Sequence, residues 1–293
     1  MKNRLTVLLL ATASLACAGS LLAQAPAPQL RFPAASPAGS IKQRIGLTDV
    51  EITYNRPSAK GRTIFGGLVP YGEIWRTGAD TATRLTLSTA AKIGGVDVAA
   101  GTYELFTIPN KVEWTVILQK AQEKPQWGAY AYDAKNDVAR FAAKAFPTAA
   151  RVETLTLDIG QLSQSAASVT IAWADTQIVF PLVVDTVGLL VPQIESVMAG
   201  NSDKKPYFQA AMFYYENNLD LKKAVAWMDA GLAAQPDAFW MIYRKGLLLA
   251  KAGDKAAAKA AAEQSLALAE KDPRAGIRDE YVRLNQALLE SLK

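Results

Sequence analysis

The spacing of apolar positions changes once along the chain. Up to about residue 186 it is mostly the alternation of half-buried strands; beyond about 190 it becomes the wider spacing of helices. Strands are predicted for "LTDVEITY" (47–54) and "TRLTLST" (83–89), where Leu85 and Leu87 alternate with threonines. Gly94-Gly95 suits a tight hairpin turn. "TYELFTI" and "EWTVIL" flank Pro109, Asn110 and Lys111 as a second hairpin. "RVETLTLDI" (151–159), "ASVTIAW" (167–173) and "TQIVFPLVV" (176–184) are three more alternating runs, the last two joined at Ala174-Asp175. "QWGAYAYDAKNDVARFAAKAF" predicts a loop with one short strand. Eight or nine short strands separated by turn signals predict an antiparallel β-sandwich or barrel over residues 38–186.

From about 190, alanine, leucine, lysine and glutamate dominate, while glycine and proline retreat to boundaries. This part repeats. Phe208, Tyr215, Ala224 and Pro236 occupy positions 4, 11, 20 and 32 of a 34-residue frame that starts at Lys205. A second copy starts at Phe239, with Gly246 and Ala258 at positions 8 and 20. Small residues there let paired helices approach closely. The pattern resembles two tetratricopeptide-type hairpins over 190–293, closed by a helix around 276–291. Met228 and Ala262 depart from it, standing where a larger aromatic is usual. The fold class expected is therefore α+β, a β-sandwich or barrel followed by a tetratricopeptide-like α-hairpin tail.

One segment fits neither period. "YNRPSAKGRTIFGGLVPYGEIWRTGADTATR" (54–84) holds five cations, two acids and five glycines, with Phe65, Tyr71 and Trp75 among them. Thirty residues between strands is long for a compact domain. Its apolar anchors argue that it packs, and its glycines permit sharp turns. Arginine forks suit carboxylates or phosphates. The candidate ligand-binding residues are Arg56, Lys60, Arg62, Tyr71, Glu73, Trp75, Arg76 and Asp80, with Trp75 or Tyr71 as a stacking platform for a sugar or anionic ligand. The competing reading is a scaffold loop whose arginines pair with Glu73, Asp80 and local carbonyls.

Composition narrows the chemistry. The chain has no histidine, and its single cysteine is Cys17. A Ser-His-Asp triad, a Cys-His pair, a His-ligated zinc and, once Cys17 leaves with the leader, a thiolate metal site are excluded. Carboxylates, lysine and tyrosine remain as acid/base groups, and a hard cation on oxygen ligands stays open in principle. Neither "DAKND" nor "NSDKK" has the spacing of a calcium loop, and no metal or cofactor is expected. Ser58 and Lys60, near "RTG" (76–78), resemble fragments of a serine β-lactamase site, but they are two residues apart where that motif needs three. Glu51, Glu104 and Glu113 lie on alternating strands and read as solvent-facing.

The first residues, "MKNRLTVLLLATASLACAGSLLAQA", have the positive start, apolar middle and small-residue end of a secretory leader over 1–25. A signal anchor and a lipoprotein signal at Cys17 are the competing readings. Residues 26–37 are a Pro/Ala-rich linker. Losing Lys2 and Arg4 leaves 30 of 32 cations against 27 acids, a formal charge of +3 instead of +5. That balance makes no case for nucleic acid. No second apolar run is long enough to span a membrane.

The run from Tyr54 to Ser88, followed by "AAGTYELFTIPNKVEWTVIL", resembles the bacterial exported "domain of unknown function 2911" family over residues 38–186. The helical tail also looks like what often follows that domain. The resemblance implies a secreted or periplasmic β-domain protein and brings no reaction or catalytic residue; residues 56–80 are its most recognisable part. The function expected is an exported, non-catalytic binding or adaptor protein, with an Arg/aromatic pocket in the β-domain and a tail that contacts a protein partner. The alternatives are a cell-envelope hydrolase using Tyr, Lys or carboxylates, and a purely structural protein.

Overall fold

A computed structural model describes residues 30, 32–202 and 204–293; the expected leader and residues 26–29 and 31 of the linker lie outside these. The account below concerns the unit Ser36–Lys293.

Nine antiparallel strands come first: β1 (Ala38–Ile45), β2 (Thr48–Asn55), β3 (Thr83–Leu87), β4 (Ala91–Ile93), β5 (Val96–Val98), β6 (Gly101–Ile108), β7 (Glu113–Lys120), β8 (Asp137–Gly160) and β9 (Ala166–Val184). They form one sheet in the order β1-β2-β3-β6-β7-β8-β9-β4-β5. The hairpin turns are as the sequence predicts. Gly94 and Gly95 both have positive φ (56° and 87°), as a two-residue hairpin turn demands.

The two long strands differ from expectation. β8 runs through the segment read as a loop, and β9 is continuous where two strands were expected. The first part of β8 pairs with β7, with Lys144 opposite Glu113. The remainder pairs with β9, and its register slips between Pro147 and Val152 and again between Val152 and Thr156. Opposite these slips, Ala174 adopts a left-handed φ of 52°. Irregularities of this kind bend a strand and raise its twist. The sheet thereby turns over itself and encloses one core, with Ile52, Leu85, Leu105 and Leu118 from one half and Leu157, Ile171, Phe180 and Leu182 from the other. The sheet stays open, so the barrel alternative is set aside. Its terminal strands are β1 and β5, and β5 has only three residues with which to close a ladder.

β6 and β7 are buried on both faces along much of their length. Leu105, Val116 and Leu118 face the main core. Phe106 and Ile117 face a second cluster with Ala82, Ile74, Ala129 and Tyr132, supplied by the segments after β2 and after β7. This corrects the reading of Glu104: it shares the face of Phe106 and is fully buried, because those segments cover what would otherwise be a solvated face.

Six helices follow: α1 (Thr186–Ala199), α2 (Tyr207–Glu216), α3 (Leu221–Ala234), α4 (Phe239–Lys251), α5 (Lys255–Ala269) and α6 (Ala275–Ser291). Asp185, Asp220 and Asp254 cap α1, α3 and α5 through backbone N–H groups of the first turn. α2–α3 and α4–α5 are hairpins in the places the repeat frame marks. Ala224 and Ala258, one frame apart, are fully buried on α3 and α5. A Cβ on Gly246 would stand 3.0 Å from Leu288, so α4 and α6 approach where that small residue allows it. Aromatics fill the seams between helices, with Tyr214 against Trp227 at 4.8 Å and Phe239 against Tyr281 at 5.2 Å. Among the described residues, the hydrophobic clusters of the helices take in no residue of the β-region. Thr186 and Gln164 link the two regions: Thr186 donates to the Gln164 carbonyl (2.6 Å), and the Gln164 amide donates to Glu216 (2.8 Å). Among the described residues no helix is long and apolar enough to cross a membrane.

Within the helices, the Tyr214 hydroxyl donates to Glu195 Oε1 at 2.5 Å, and Lys223 Nζ donates to the same oxygen at 2.7 Å. Burial, then the Glu195 carboxylate, pushes the Tyr214 phenol up to about 12 from an ordinary 10.0. A raised phenol favours the neutral form in the folded state. Its contribution to stability is complete below pH 10 and is lost as pH climbs through about 12. Glu195 is lowered, first by Lys223 and then by Tyr214, so its contribution is lost in the opposite direction, on acidification. An alkaline titration of tyrosinate absorbance checks this. The difference between wild type and Tyr214→Phe should show one phenol titrating near 12; a difference centred on the ordinary value would remove the Glu195 bond from the account.

Candidate functional site

The segment between β2 and β3 is tied down at short intervals. Residues 56–60 run along β8: Ala59 N–H donates to the Glu153 carbonyl (2.7 Å), Leu155 N–H to the Pro57 carbonyl (2.9 Å), and the Ser58 and Thr154 hydroxyls are 3.1 Å apart. A tight turn follows, with Val69 N–H on the Ile64 carbonyl and Gly66 N–H on the Val69 carbonyl. Gly72 then bonds to Pro109 in the β6–β7 turn, and Trp75 exchanges two backbone bonds with Thr107 on β6. Finally Ala82 N–H donates to the Gln126 carbonyl and Gly128 N–H to the Asp80 carbonyl. Loop and fold are therefore one packed body, which explains apolar anchors in a segment with no periodicity.

The eight candidate residues divide. Arg56 is half-buried and committed: Nε donates to the Leu155 carbonyl and Nη2 to the Thr156 hydroxyl, both at 3.1 Å, and the guanidinium lies 5.8 Å from the Tyr54 ring centroid. Trp75 is only 7% exposed. Its ring stacks on Trp173 (5.9 Å, 19°) and meets Phe65 and Trp114 edge-on, and Nε1 donates to the Gly78 carbonyl. It presents no face to a ligand, because the turn at 64–69 and both halves of the sheet close around it. Lys60 and Glu73 are exposed, and Arg76 and Asp80 are partly so. Among the described residues none of these four forms an ion pair, so the expected pairing of arginines with Glu73 and Asp80 does not occur. Arg76 Nε is buried without a partner. The backbone beside it is strained: Thr77 is fully buried at φ 55° and Asp80 has φ 56°. A β-branched residue there is a true outlier. Bonds hold it, since the Thr77 hydroxyl lies 3.1 Å from that of Thr107 and the Thr77 carbonyl accepts from Thr83 (2.8 Å).

Arg62 and Tyr71 are the two that meet. They line a groove of about 550 Å³ with Phe65 and with three residues of the β8–β9 bend, Arg151, Asp175 and Thr176. Arg62 is pinned to its own turn, Nε on the Ala59 carbonyl (2.9 Å) and Nη2 on the Ser58 carbonyl (2.7 Å). Arg151 donates to Asp175 Oδ2 (2.6 Å) and to the Arg62 carbonyl (3.3 Å). The groove thus holds two fixed guanidinium groups, one exposed phenol and one carboxylate. Asp175 is its sole carboxylate and is engaged by Arg151, so no pair of acids converges there. Among the described residues, no three His, Cys, Asp or Glu side chains gather as a metal would require. Sequence reading missed Arg151 and Asp175. The visible signal was the pair of turn-like breaks, Ala149-Ala150 and Ala174-Asp175, on neighbouring strands.

Behind β6 lies a buried polar network. Glu104 accepts from Arg84 (3.4 Å), from Gln126 N–H (3.0 Å) and from the Gln126 amide (2.5 Å). Gln119 continues it to Asp137, which accepts from Tyr132 (3.1 Å) and Arg140 (3.1 Å). Burial, then Asp137, holds the Tyr132 phenol above its ordinary pKa. The network fixes Gln126, and with it the turn that carries Trp127.

Residues 36–182 match the family model described as a protein of unknown function (DUF2911). No curated protein and no solved structure matches the chain at a comparable level.

Proposed function

From the premise that the chain belongs to the DUF2911 family, whose description names no activity, we propose that it is an exported, non-catalytic binding protein. Its β-region takes an anionic group, a carboxylate or phosphate, in the groove between the 61–71 turn and the β8–β9 bend. A single observation carries this reading: the guanidinium groups of Arg62 and Arg151 meet at one groove, each already held by carbonyl or carboxylate partners. Forks fixed in advance lose little freedom when an oxyanion arrives, and charge-assisted bonds to them are the strong kind. Tyr71 adds a half-open ring at the mouth. Catalysis fits less well, since the groove offers hydroxyls without a neighbouring base and one carboxylate already paired. The helical region would meet a polypeptide partner at the apolar groove of about 510 Å³ between α3, α4 and α5, where Asp229 and Lys245 pair at the rim.

Asp175 is a resident competitor for Arg151, and this gives the test a sign. In a thermal-shift assay of the full chain with phosphate, citrate, succinate and glucuronate, at least one anion should raise the melting temperature of wild type. Arg151→Ala should weaken that anion by about tenfold or more, the loss of one charge-assisted contact. Asp175→Asn should strengthen it several-fold by freeing the fork. A wild type indifferent to every anion, with Arg151→Ala simply melting earlier, would make the groove scaffold and the proposal wrong.

A further inference from the structure

The stacking surface expected at Trp75 is absent there, but the fold offers one elsewhere. Trp127 is 65% exposed and Tyr130 is 90% exposed, three residues apart in the segment between β7 and β8. Large rings are normally drawn inside, so such exposure is informative. The turn that carries them is anchored. Trp127 pairs with Thr81 in an antiparallel bridge, and the bonds from Ala82 to Gln126 and from Gly128 to Asp80, both 2.8 Å, clamp either side of it. Gly128 has φ 68°, and a Cβ there would stand 2.7 Å from the Tyr130 ring, so glycine permits both the turn and the ring lying over it. Ala129 and Tyr132 pack inward on Phe106 and Ile117. The backbone is fixed while the two rings stand free.

We infer that Trp127 and Tyr130 form a platform for a neutral oligosaccharide. Three features select that ligand. Two isolated rings on a polar turn are far smaller than the roughly 800 Å² per partner of a stable protein interface. The segment that presents them, 121–136, carries Glu123 and Asp133 against Lys124 and Lys135 and so has no net charge. Single-stranded nucleic acid would need a basic groove beside the stacking rings, and an acidic polysaccharide would need excess cations. Flat aromatic faces take the C–H faces of pyranose rings, and Asp80, whose carbonyl holds the Gly128 N–H next to Trp127, would offer a carboxylate to sugar hydroxyls. This site is separate from the Arg62–Arg151 groove and does not depend on it.

The test is a fluorescence titration of the full chain with cellohexaose, chitohexaose, maltoheptaose and mannohexaose, with heparin and oligothymidylate as charged comparators. Trp127 is the most exposed of the six tryptophans, so a neutral oligosaccharide seated on it should shift emission and protect against acrylamide quenching. Trp127→Ala should abolish the response, Tyr130→Ala should weaken binding about tenfold, and Trp240→Phe should leave it unchanged. Trp127→Tyr keeps a ring and should retain part of the affinity, which covers the case in which the alanine variant misfolds. The inference fails if no neutral oligosaccharide changes emission or quenching, if only heparin or oligothymidylate does, or if Trp127→Ala binds like wild type. It also fails if wild type is a dimer that Trp127→Ala converts to monomer, for the rings would then be covered by a second copy.

Discussion

Trp75→Ala lowers the stability of the β-region by about 3–5 kcal/mol, the range for removing a large buried aromatic. The ring belongs to a cluster of four with Phe65, Trp114 and Trp173. It stacks on Trp173 and meets Phe65 and Trp114 edge-on, and each such pair contributes about 0.5–1.5 kcal/mol beyond area burial. Its indole N–H also holds the Gly78 carbonyl, next to the strained Thr77. Deleting the ring opens a cavity between both halves of the sheet and frees the stretch that keeps Thr77 at positive φ. Chemical denaturation followed by tryptophan emission should report the loss, with a melting temperature lower by roughly 6–20 °C. Trp75→Phe keeps most of the contacts and loses the Gly78 bond, so about 1–2 kcal/mol is expected. Tyr71→Ala, at the exposed mouth of the groove, should fall within about 0.5 kcal/mol. If Trp75→Ala cost no more than Tyr71→Ala, the ring would be a mobile surface group and its assignment to the core would be overturned.

How much of this was legible in the sequence follows from what each residue depends on. β2, β3 and the two hairpins were readable because their alternation and turn glycines are local facts. β8 was not. "DVARFAAKAFPTAA" is alanine-rich with weak strand propensity, and it is extended because β7 and then β9 pair with it. Glu104 alternates like a solvent-facing residue, yet two loop segments cover it, and nothing within the strand announces them. Trp75 sits in a segment without periodicity, so its inward direction had no local sign; the partners that fix it, Trp114 and Trp173, lie far along the chain. Arg62 and Tyr71 were found as chemistry of the right type. Arg151 and Asp175 join them only because β8 and β9 bend together. Trp127 and Tyr130 stood in plain view in "QWGAYAY", but their exposure depends on a turn that the 80–82 segment clamps from outside.

Glu104→Leu is expected to cost about 3–5 kcal/mol, the penalty for breaking a buried ion pair by removing one partner. The carboxylate is fully buried and takes three hydrogen bonds, one from Arg84 and two from Gln126. Leucine would leave the Gln126 backbone N–H without an acceptor and its side-chain amide with only Gln119 Oε1 at 3.4 Å, beside an Arg84 Nε that is already unpartnered. Glu104→Gln keeps an acceptor and loses the charge, and about 1–3 kcal/mol is the expected loss. Arg84→Met combined with Glu104→Leu removes both charges, and the double variant should lose less than the two single losses added, by about 0.5–3 kcal/mol. Equilibrium denaturation of wild type, the two Glu104 variants, Arg84→Met and the double variant measures all three terms. A surface glutamate would give changes within about 0.5 kcal/mol and no coupling to Arg84. That result would mean the segments carrying Ala82 and Gln126 do not close over β6. The clamp on Trp127 depends on that closure, so Glu104→Leu should also loosen the platform: the acrylamide quenching of Trp127 should change in Glu104→Leu and stay unchanged in Tyr71→Ala.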